Sequence, residues 1–271
     1  MSAKNLLNAP DGFDRRQNNV IYGEVTEREY ESKTTGMNRK CLVYTPPGYD
    51  PSLRYPVLYL LHGIGGIHTE WLDGAPSEIL SNLIAAGEAA PMIAVMPNVR
   101  AMRNDVLPQD IFAAECIGAF DNFINDLRDD LMPFIRRHYL VSENRADNAI
   151  AGLSMGGREA LFVGLKMSET FAYIGAFSPA PGLLAMSQPA DRPHPGQMTA
   201  QDMFLPEAYR DDTYILMCHG SEEETFSFVS AAYRQAFDDN NVKYTYYVAE
   251  GGHDFRVWKN GLYHFAKALF V

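Results

Sequence analysis

Cysteine is scarce in this chain: Cys41, Cys116 and Cys218 are the only three in 271 residues. They lie far apart and include no pair separated by two residues, so neither a disulfide framework nor a thiolate metal site is indicated. They read as buried thiols. Basic charge is also in short supply, with 23 Lys and Arg against 34 Asp and Glu and a formal net charge of -11. No cluster of cations is present to neutralise a phosphate backbone, which excludes a nucleic-acid surface and leaves an acidic, solvated exterior. No apolar run approaches the ~20 residues that a bilayer-crossing helix requires. The opening Met1-Ser2-Ala3-Lys4-Asn5 lacks the hydrophobic stretch of an export signal, so the expectation is a protein that stays inside or one whose signal was removed before this numbering.

What is present is apolar residue in quantity, 46% of the chain, enough for one substantial core. Residues 1–271 are expected to form a single domain. Asn19 to Tyr30 and Arg39 to Tyr44 alternate imperfectly around the turn-like Lys33-Thr34-Thr35-Gly36, predicting an antiparallel hairpin at a sheet edge. Tyr55 to Leu61 is almost continuously apolar and stops at His62-Gly63-Ile64-Gly65-Gly66, the signature of a strand buried on both faces. Further strands are predicted at Met92–Met96, Ala149–Leu153, Tyr173–Phe177, Thr213–Cys218 and Lys243–Val248. Helical spacing falls between and after them, at Ser77–Ala86, Phe120–His138, Met155–Met167, Phe226–Phe237 and Val257–Phe270. Such alternation implies an α/β fold, a doubly wound and mostly parallel sheet whose ligands bind beyond the carboxyl ends of the strands. Two irregular segments, Asn98–Gly118 and the proline-rich Pro179–Arg210, both follow predicted strands and would overlie that face.

The chemistry centres on Gly152-Leu153-Ser154-Met155-Gly156-Gly157. A serine boxed by glycines between a strand and a helix is a nucleophile elbow, in which the sharp turn exposes the hydroxyl and the helix directs its first amides at the reacting oxygen. Serine is a poor nucleophile near neutral pH and needs a base, which in turn needs a carboxylate, expected in the chain order serine, acid, histidine. Of the seven histidines, His253 in Glu250-Gly251-Gly252-His253-Asp254 follows a strand, sits on a glycine-rich loop and precedes a helix. His219 also ends a strand but lies ahead of the acidic residues, His264 falls within a helix, and His194 lies in the proline-rich segment. The acid is expected in Glu222-Glu223-Glu224, where one carboxylate would be catalytic and the others would favour the helix N-terminus. Asp254 adjoins His253 too closely in sequence for the orienting bond. Met155 and Ile64 are the expected backbone donors of an oxyanion hole. Trp71 and Trp258 are candidates to stack against an aromatic acyl group, with Phe177 and Phe226 also near strand or loop ends. These groups supply all the chemistry acyl transfer requires, so no cofactor and no metal is expected.

Together with Val43-Tyr44-Thr45-Pro46-Pro47-Gly48-Tyr49, Phe171-Ala172-Tyr173-Ile174-Gly175, Trp71, Gly252-His253-Asp254-Phe255 and Trp258-Lys259, these motifs resemble the feruloyl and acetylxylan esterases of carbohydrate esterase family one, a branch of the α/β-hydrolases. The resemblance spans nearly the whole chain and implies Ser154 as nucleophile, His253 as base, and Ile64 and Met155 as oxyanion donors. An Asp usually stands three residues after the strand-ending glycine in that family; here Glu223 does, three after Gly220, with Glu222 and Glu224 as alternatives. It further implies a serine esterase that releases hydroxycinnamate from plant-cell-wall xylan, with an acylated polysaccharide or oligosaccharide as partner and neither nucleic acid nor membrane involved. An acetyl group is the alternative acyl. Competing readings are an intracellular esterase or thioesterase for a small ester, such as S-acylglutathione or a siderophore lactone, and an inactive carbohydrate-binding scaffold.

Overall fold

A computed structural model describes residues 6–103, 106, 108–185 and 194–270. Met1–Asn5 and parts of the two irregular segments, residues 104, 105, 107 and 186–193, lie outside the described residues, as does Val271. Eight strands form one sheet: β1 (Glu24–Ser32), β2 (Met37–Thr45), β3 (Val57–Leu61), β4 (Ile93–Pro97), β5 (Asn148–Leu153), β6 (Tyr173–Phe177), β7 (Tyr214–Gly220) and β8 (Thr245–Ala249). Their spatial order is β1-β2-β4-β3-β5-β6-β7-β8. The β1–β2 hairpin is antiparallel and β2 pairs β4 antiparallel, while every pairing from β4 through β8 is parallel. β1 begins at Glu24 rather than Asn19, because Gly23 just before it spends its backbone groups outside the sheet: its amide donates to Ser81 Oγ at 3.1 Å and its carbonyl accepts from Ser77 Oγ at 3.4 Å.

Helices cover both faces, as expected of strands such as β3, β4 and β5 that are buried along their whole length. α1 (Pro76–Ala85) lies with Val257, Leu262 and Phe265 of the final helix on one face. The other face is covered by α2 (Ala114–Asp121), α3 (Phe123–Asp126), α4 (Met132–His138), α5 (Met155–Lys166) and α7 (Glu224–Asp239), which bury Phe120, Phe123, Leu161 and Tyr233. α6 (Glu207–Arg210) is a single turn, and α8 (Phe255–Ala266) is that final helix. The expected Phe120–His138 helix starts earlier, at Ala114, and is interrupted by a π-helical turn at Leu127–Leu131. Pro133 explains the interruption: it cannot donate to the carbonyl four residues back, and a widened turn just before it accommodates the missing bond. All three cysteines are free and buried.

The parallel register aligns the strand ends that matter. Leu61 pairs Gly152, Leu153 pairs Phe177, Phe177 pairs Cys218 and Gly220 pairs Ala249. The residues just beyond, at 62–64, 154, 178, 221–223 and 250–253, therefore emerge on one rim.

Candidate active site

At that rim Ser154 adopts φ 51° and ψ -116°, a conformation that costs a non-glycine residue on the order of 1–3 kcal/mol. Its surroundings hold it there. The Ser154 amide donates to the Phe177 carbonyl at 2.9 Å, and its own carbonyl accepts from the amides of Ala180 (2.9 Å) and Arg158 (3.1 Å). The glycines permit the close approach: a Cβ on Gly152 would meet Gly156 backbone at 2.4 Å, and one on Gly156 would meet the Leu61 and His62 carbonyl oxygens at 2.5 Å. The elbow is thus wedged against both β5 and the loop after β3.

The Ser154 hydroxyl lies 2.9 Å from His253 Nε2, and His253 Nδ1 is hydrogen-bonded to Glu223 Oε1. The second carboxylate oxygen, Oε2, accepts from Ser178 Oγ at 2.7 Å and from the Gly220 amide. Glu223 is buried, while Glu222 and Glu224 are exposed, so the three adjacent carboxylates are told apart by the side each faces. The loops carrying acid and imidazole are joined directly, with Ser221 N–H donating to the Ala249 carbonyl at 2.8 Å and Glu222 N–H to Gly251 at 2.9 Å. Asp254 serves elsewhere as the N-cap of α8, its carboxylate accepting the Arg256 amide at 2.8 Å. His219 bonds the Tyr246 hydroxyl on the neighbouring strand, and His264 packs on Tyr247 and Tyr263. Neither meets Ser154.

The His253 ring is bounded on two sides. Phe226, one turn into α7 and three residues beyond Glu223, stacks on it with centroids 3.7 Å apart and planes at 14°. Trp258 meets it edge-on at 5.0 Å and 88°. Trp71 departs from expectation: it is 1% exposed, packs edge-to-face on Phe177 and Phe255, and spends its indole N–H on the Leu61 carbonyl at 2.9 Å. It offers no face to a ligand and fastens the end of β3 instead.

The loop after β3 is bonded group by group. His62 is buried, and burial pushes its pKa down to about 3, so the ring is neutral. Its Nε2 accepts the Val99 amide at 2.8 Å and lies 3.0 Å from Asn98 Oδ1; the proton is therefore on Nδ1, which donates to the Gly63 carbonyl at 2.7 Å. Arg100 donates from Nη1 to the carbonyls of Ile64 (3.3 Å) and Gly66 (2.8 Å), and Arg39 in turn bonds the Arg100 carbonyl at 2.7 Å. The Glu70 carboxylate accepts the Gly63 amide at 2.6 Å, and burial raises its pKa against the pull of that bond. Among the described residues the amides of Ile64 and Met155 have no acceptor. Met155 follows Ser154 directly at the start of α5, and Ile64 lies on the loop after β3, where a Cβ on the preceding Gly63 would fall 3.6 Å from Ser154 Cβ. Sequence reasoning misses Ser178, Glu70 and Arg100, whose partners are backbone groups or a distant side chain and leave no spacing pattern.

A second charged cluster forms around α5, the helix that follows Ser154. Arg158, buried on α5, is hydrogen-bonded to Asp121 and to Glu159, and His194 Nδ1 bonds the other Asp121 oxygen at 2.7 Å. Burial alone would raise Asp121, but His194 and Arg158 outweigh it and hold this carboxyl below the usual range; burial raises Glu159. Asp121 ends α2, just past the first irregular segment, and His194 lies within the second, so the cluster ties α2 and the chain at His194 to α5. Among the described residues no group of three or more His, Cys, Asp or Glu side chains is placed to hold a metal ion.

Known proteins share this arrangement of chain and fold. The family described as putative esterase matches residues 32–268. An endo-1,4-beta-xylanase/feruloyl esterase from Xylanibacter ruminicola is 30% identical over 270 residues, 95% of this chain; the chain spans 33% of that relative's length. A ferulic acid esterase of carbohydrate esterase family one from Anaeromyces mucronatus, solved with ferulic acid, is 30% identical, with 97% of this chain and 96% of that one covered and a TM-score of 0.89. The feruloyl esterase module from Clostridium thermocellum, solved with sinapinate, shares the fold at 21% identity and a TM-score of 0.75, with 100% of this chain and 95% of that one covered. The chain belongs to the esterase family so described and, within the α/β-hydrolases, to carbohydrate esterase family one.

Proposed function

We propose that the chain is a serine feruloyl esterase that releases hydroxycinnamate from esterified xylan, with Ser154, His253 and Glu223 as its triad. The observation that carries the reading is the hydrogen-bonded line from the Ser154 hydroxyl through His253 to Glu223, set at the carboxyl ends of β5, β8 and β7. The hydroxyl adds to the ester carbonyl and passes its proton to His253 Nε2, while Glu223 keeps the other ring proton on Nδ1 and stabilises the imidazolium. The negative charge that develops on the carbonyl oxygen is taken by the amides of Ile64 and Met155, whose directions are fixed beforehand. Collapse expels the sugar hydroxyl with the proton from His253 and leaves the acyl group on Ser154. Water then adds to this ester, His253 takes its proton, and the carboxylic acid leaves as the serine hydroxyl is restored.

The feruloyl group is inferred from the relatives: the 30% identical enzyme solved with ferulic acid matches this chain almost end to end. The test compares kcat/KM on methyl ferulate, a short acetyl ester and an acylated glutathione, because such ratios report transition-state discrimination directly. Methyl ferulate is expected to lead. A preference for the thioester would overturn the substrate assignment, and failure of a fluorophosphonate probe to label the wild-type protein while sparing Ser154→Ala would overturn the esterase reading itself.

A further inference from the structure

From Leu61 to Gly66 the backbone is held at several points by side chains and by a turn of its own. The Leu61 carbonyl is held by Trp71, the Gly63 carbonyl by His62 and by the Gly66 amide (3.1 Å), and the Ile64 and Gly66 carbonyls by Arg100. Carbonyls thus dominate the accounting, and one side chain binds an amide: Glu70, at Gly63. Glu70 and Trp71 open the short 3-10 helix Glu70–Gly74, so adjacent side chains of one element grip the loop on either side of His62. Space has been made for the carboxylate. A Cβ on Gly66 would fall 2.4 Å from Glu70 Oε2 and 2.5 Å from its Cδ, whereas the corresponding position on Gly63 lies 3.4 Å from Oε2 and 3.6 Å from Ser154 Cβ. The carboxylate and the nucleophile therefore border the same glycine.

We propose that Glu70 is the positioning residue of the oxyanion loop, its carboxylate fixing the His62–Gly63 peptide so that the next amide, Ile64 N–H, faces the oxygen of a substrate bound at Ser154. The inference rests on reading Ile64 N–H as an oxyanion donor. A carboxylate accepting an amide at 2.6 Å makes a charge-assisted bond, stronger and more directional than an amide–amide one. Its negative charge beside a developing oxyanion is unfavourable in itself, so geometry is what it contributes. The guanidinium of Arg100 on the Ile64 and Gly66 carbonyls braces the same loop from the other side with the opposite charge.

The test separates geometry from charge. Glu70→Ala is expected to lower kcat on methyl ferulate by roughly 100-fold, the scale of losing one oxyanion donor, with KM nearly unchanged. Glu70→Gln, whose amide oxygen still accepts from Gly63, recovers most of that loss. Gly66→Ala, which drives the carboxylate away without touching its chemistry, reproduces Glu70→Ala. Hydrogen exchange of the Gly63 amide, followed by NMR on the same proteins, is slow in wild type and Glu70→Gln and fast in the other two. Unaltered kcat in Glu70→Ala, unaltered Gly63 exchange, or equal damage from Gln and Ala would each overturn the proposal. Should wild type hydrolyse none of the esters, the reading of the site as a feruloyl esterase fails, and the Gly63 exchange rates still decide the role of Glu70.

Discussion

Two buried charged networks flank Ser154, and they differ in how they end. The one in front runs from Ser178 and the Gly220 amide through Glu223 to His253 and stops at the serine hydroxyl. Its histidine side chain is 31% exposed while its carboxylate is 1% exposed, so the ring that would exchange protons with Ser154 in the proposed reaction is the one open to substrate and water. The network behind is closed around its cation, with Arg158 between Asp121 and Glu159, both carboxylates and the cation at 1% exposure or less; its histidine, His194, is 14% exposed and bonds Asp121. A chain of donors with an open end moves a proton. A closed cluster around a permanent cation holds its neighbours in place, and here the neighbours are α5, the end of α2 at Asp121 and the chain at His194.

That contrast can be broken by substitution, and the front network carries the larger kinetic effect. Glu223→Gln keeps the shape but presents a mixed donor and acceptor to His253 Nδ1, so the imidazole loses its enforced tautomer and the stabilisation of its charged form. The expected loss in kcat is about 10⁴-fold with substrate binding nearly intact, measured under steady state on methyl ferulate. If Glu222→Gln or Glu224→Gln produced that loss while Glu223→Gln turned over normally, the assignment of the acid would be wrong. Behind the nucleophile the cost falls on stability. Arg158→Met leaves two buried carboxylates facing each other and is expected to destabilise the fold by about 3–5 kcal/mol, read from chemical denaturation, with kcat per folded molecule altered far less. A Tm that does not move, with turnover collapsing, would mean that the rear cluster takes part in the chemistry.

The site is legible in the sequence to the extent that its chemistry imposes local patterns. Ser154 is legible because a strand that turns into a helix through a strained residue needs Gly152 and Gly156, and glycine spacing is visible in one dimension. His253 is legible because it follows a strand and sits on Gly251 and Gly252. The sheet itself is legible because β3, β4 and β5, covered on both faces, read as unbroken apolar runs. Among three adjacent glutamates the family spacing from Gly220 favours Glu223 but leaves its neighbours open; what separates them is that Glu223 precedes α7 and turns inward while its neighbours face solvent. Ser178, Glu70 and Arg100 act on backbone groups of remote segments, and Trp71, conspicuous as one of two tryptophans, is committed to the core and to the Leu61 carbonyl. Contacts of that kind exist only once the strands are aligned.

A third histidine sharpens the comparison, since His62 stays neutral where the proposed mechanism has His253 accept a proton. Burial pushes its pKa down to about 3 from the usual 6.5, and the Val99 amide occupies the nitrogen that would be protonated. In the unfolded chain the ring takes up a proton below about 6.5, so between pH 6.5 and 3 the unfolded state binds more protons and stability falls as pH falls. The slope approaches about 1.4 kcal/mol per pH unit, so roughly 2 kcal/mol should be lost between pH 6.5 and 5 from this group alone. Asp121 adds a loss of the same sign further down, because a carboxyl held below its usual range gives up its contribution as pH drops through its folded pKa. Denaturation midpoints taken across pH 7 to 5 for wild type and His62→Gln check this. The variant starts less stable but should show the shallower decline, and parallel curves would place the acid sensitivity elsewhere.

The smallest effect expected concerns Phe226. Glu223, the N-cap of α7, and Phe226, in its first turn, stand three residues apart, so the start of one helix delivers a carboxylate to the edge of the His253 ring and a phenyl to its face. In-plane bonds to Ser154 and Glu223 fix where the ring nitrogens point, but they leave the ring free to tilt about the line joining them. A flat partner at 3.7 Å, with Trp258 edge-on at 88°, removes that freedom. Aromatic pairing of this kind is worth about 0.5–1.5 kcal/mol, so Phe226→Leu, which keeps apolar bulk but not the flat face, should lower kcat by roughly 2- to 10-fold. Rings that merely line an acyl slot would instead raise KM for methyl ferulate and spare the short acetyl ester. Measuring both substrates therefore distinguishes a ring that steadies the base from one that receives the ferulate, and only the former belongs to the open-ended network in front of Ser154.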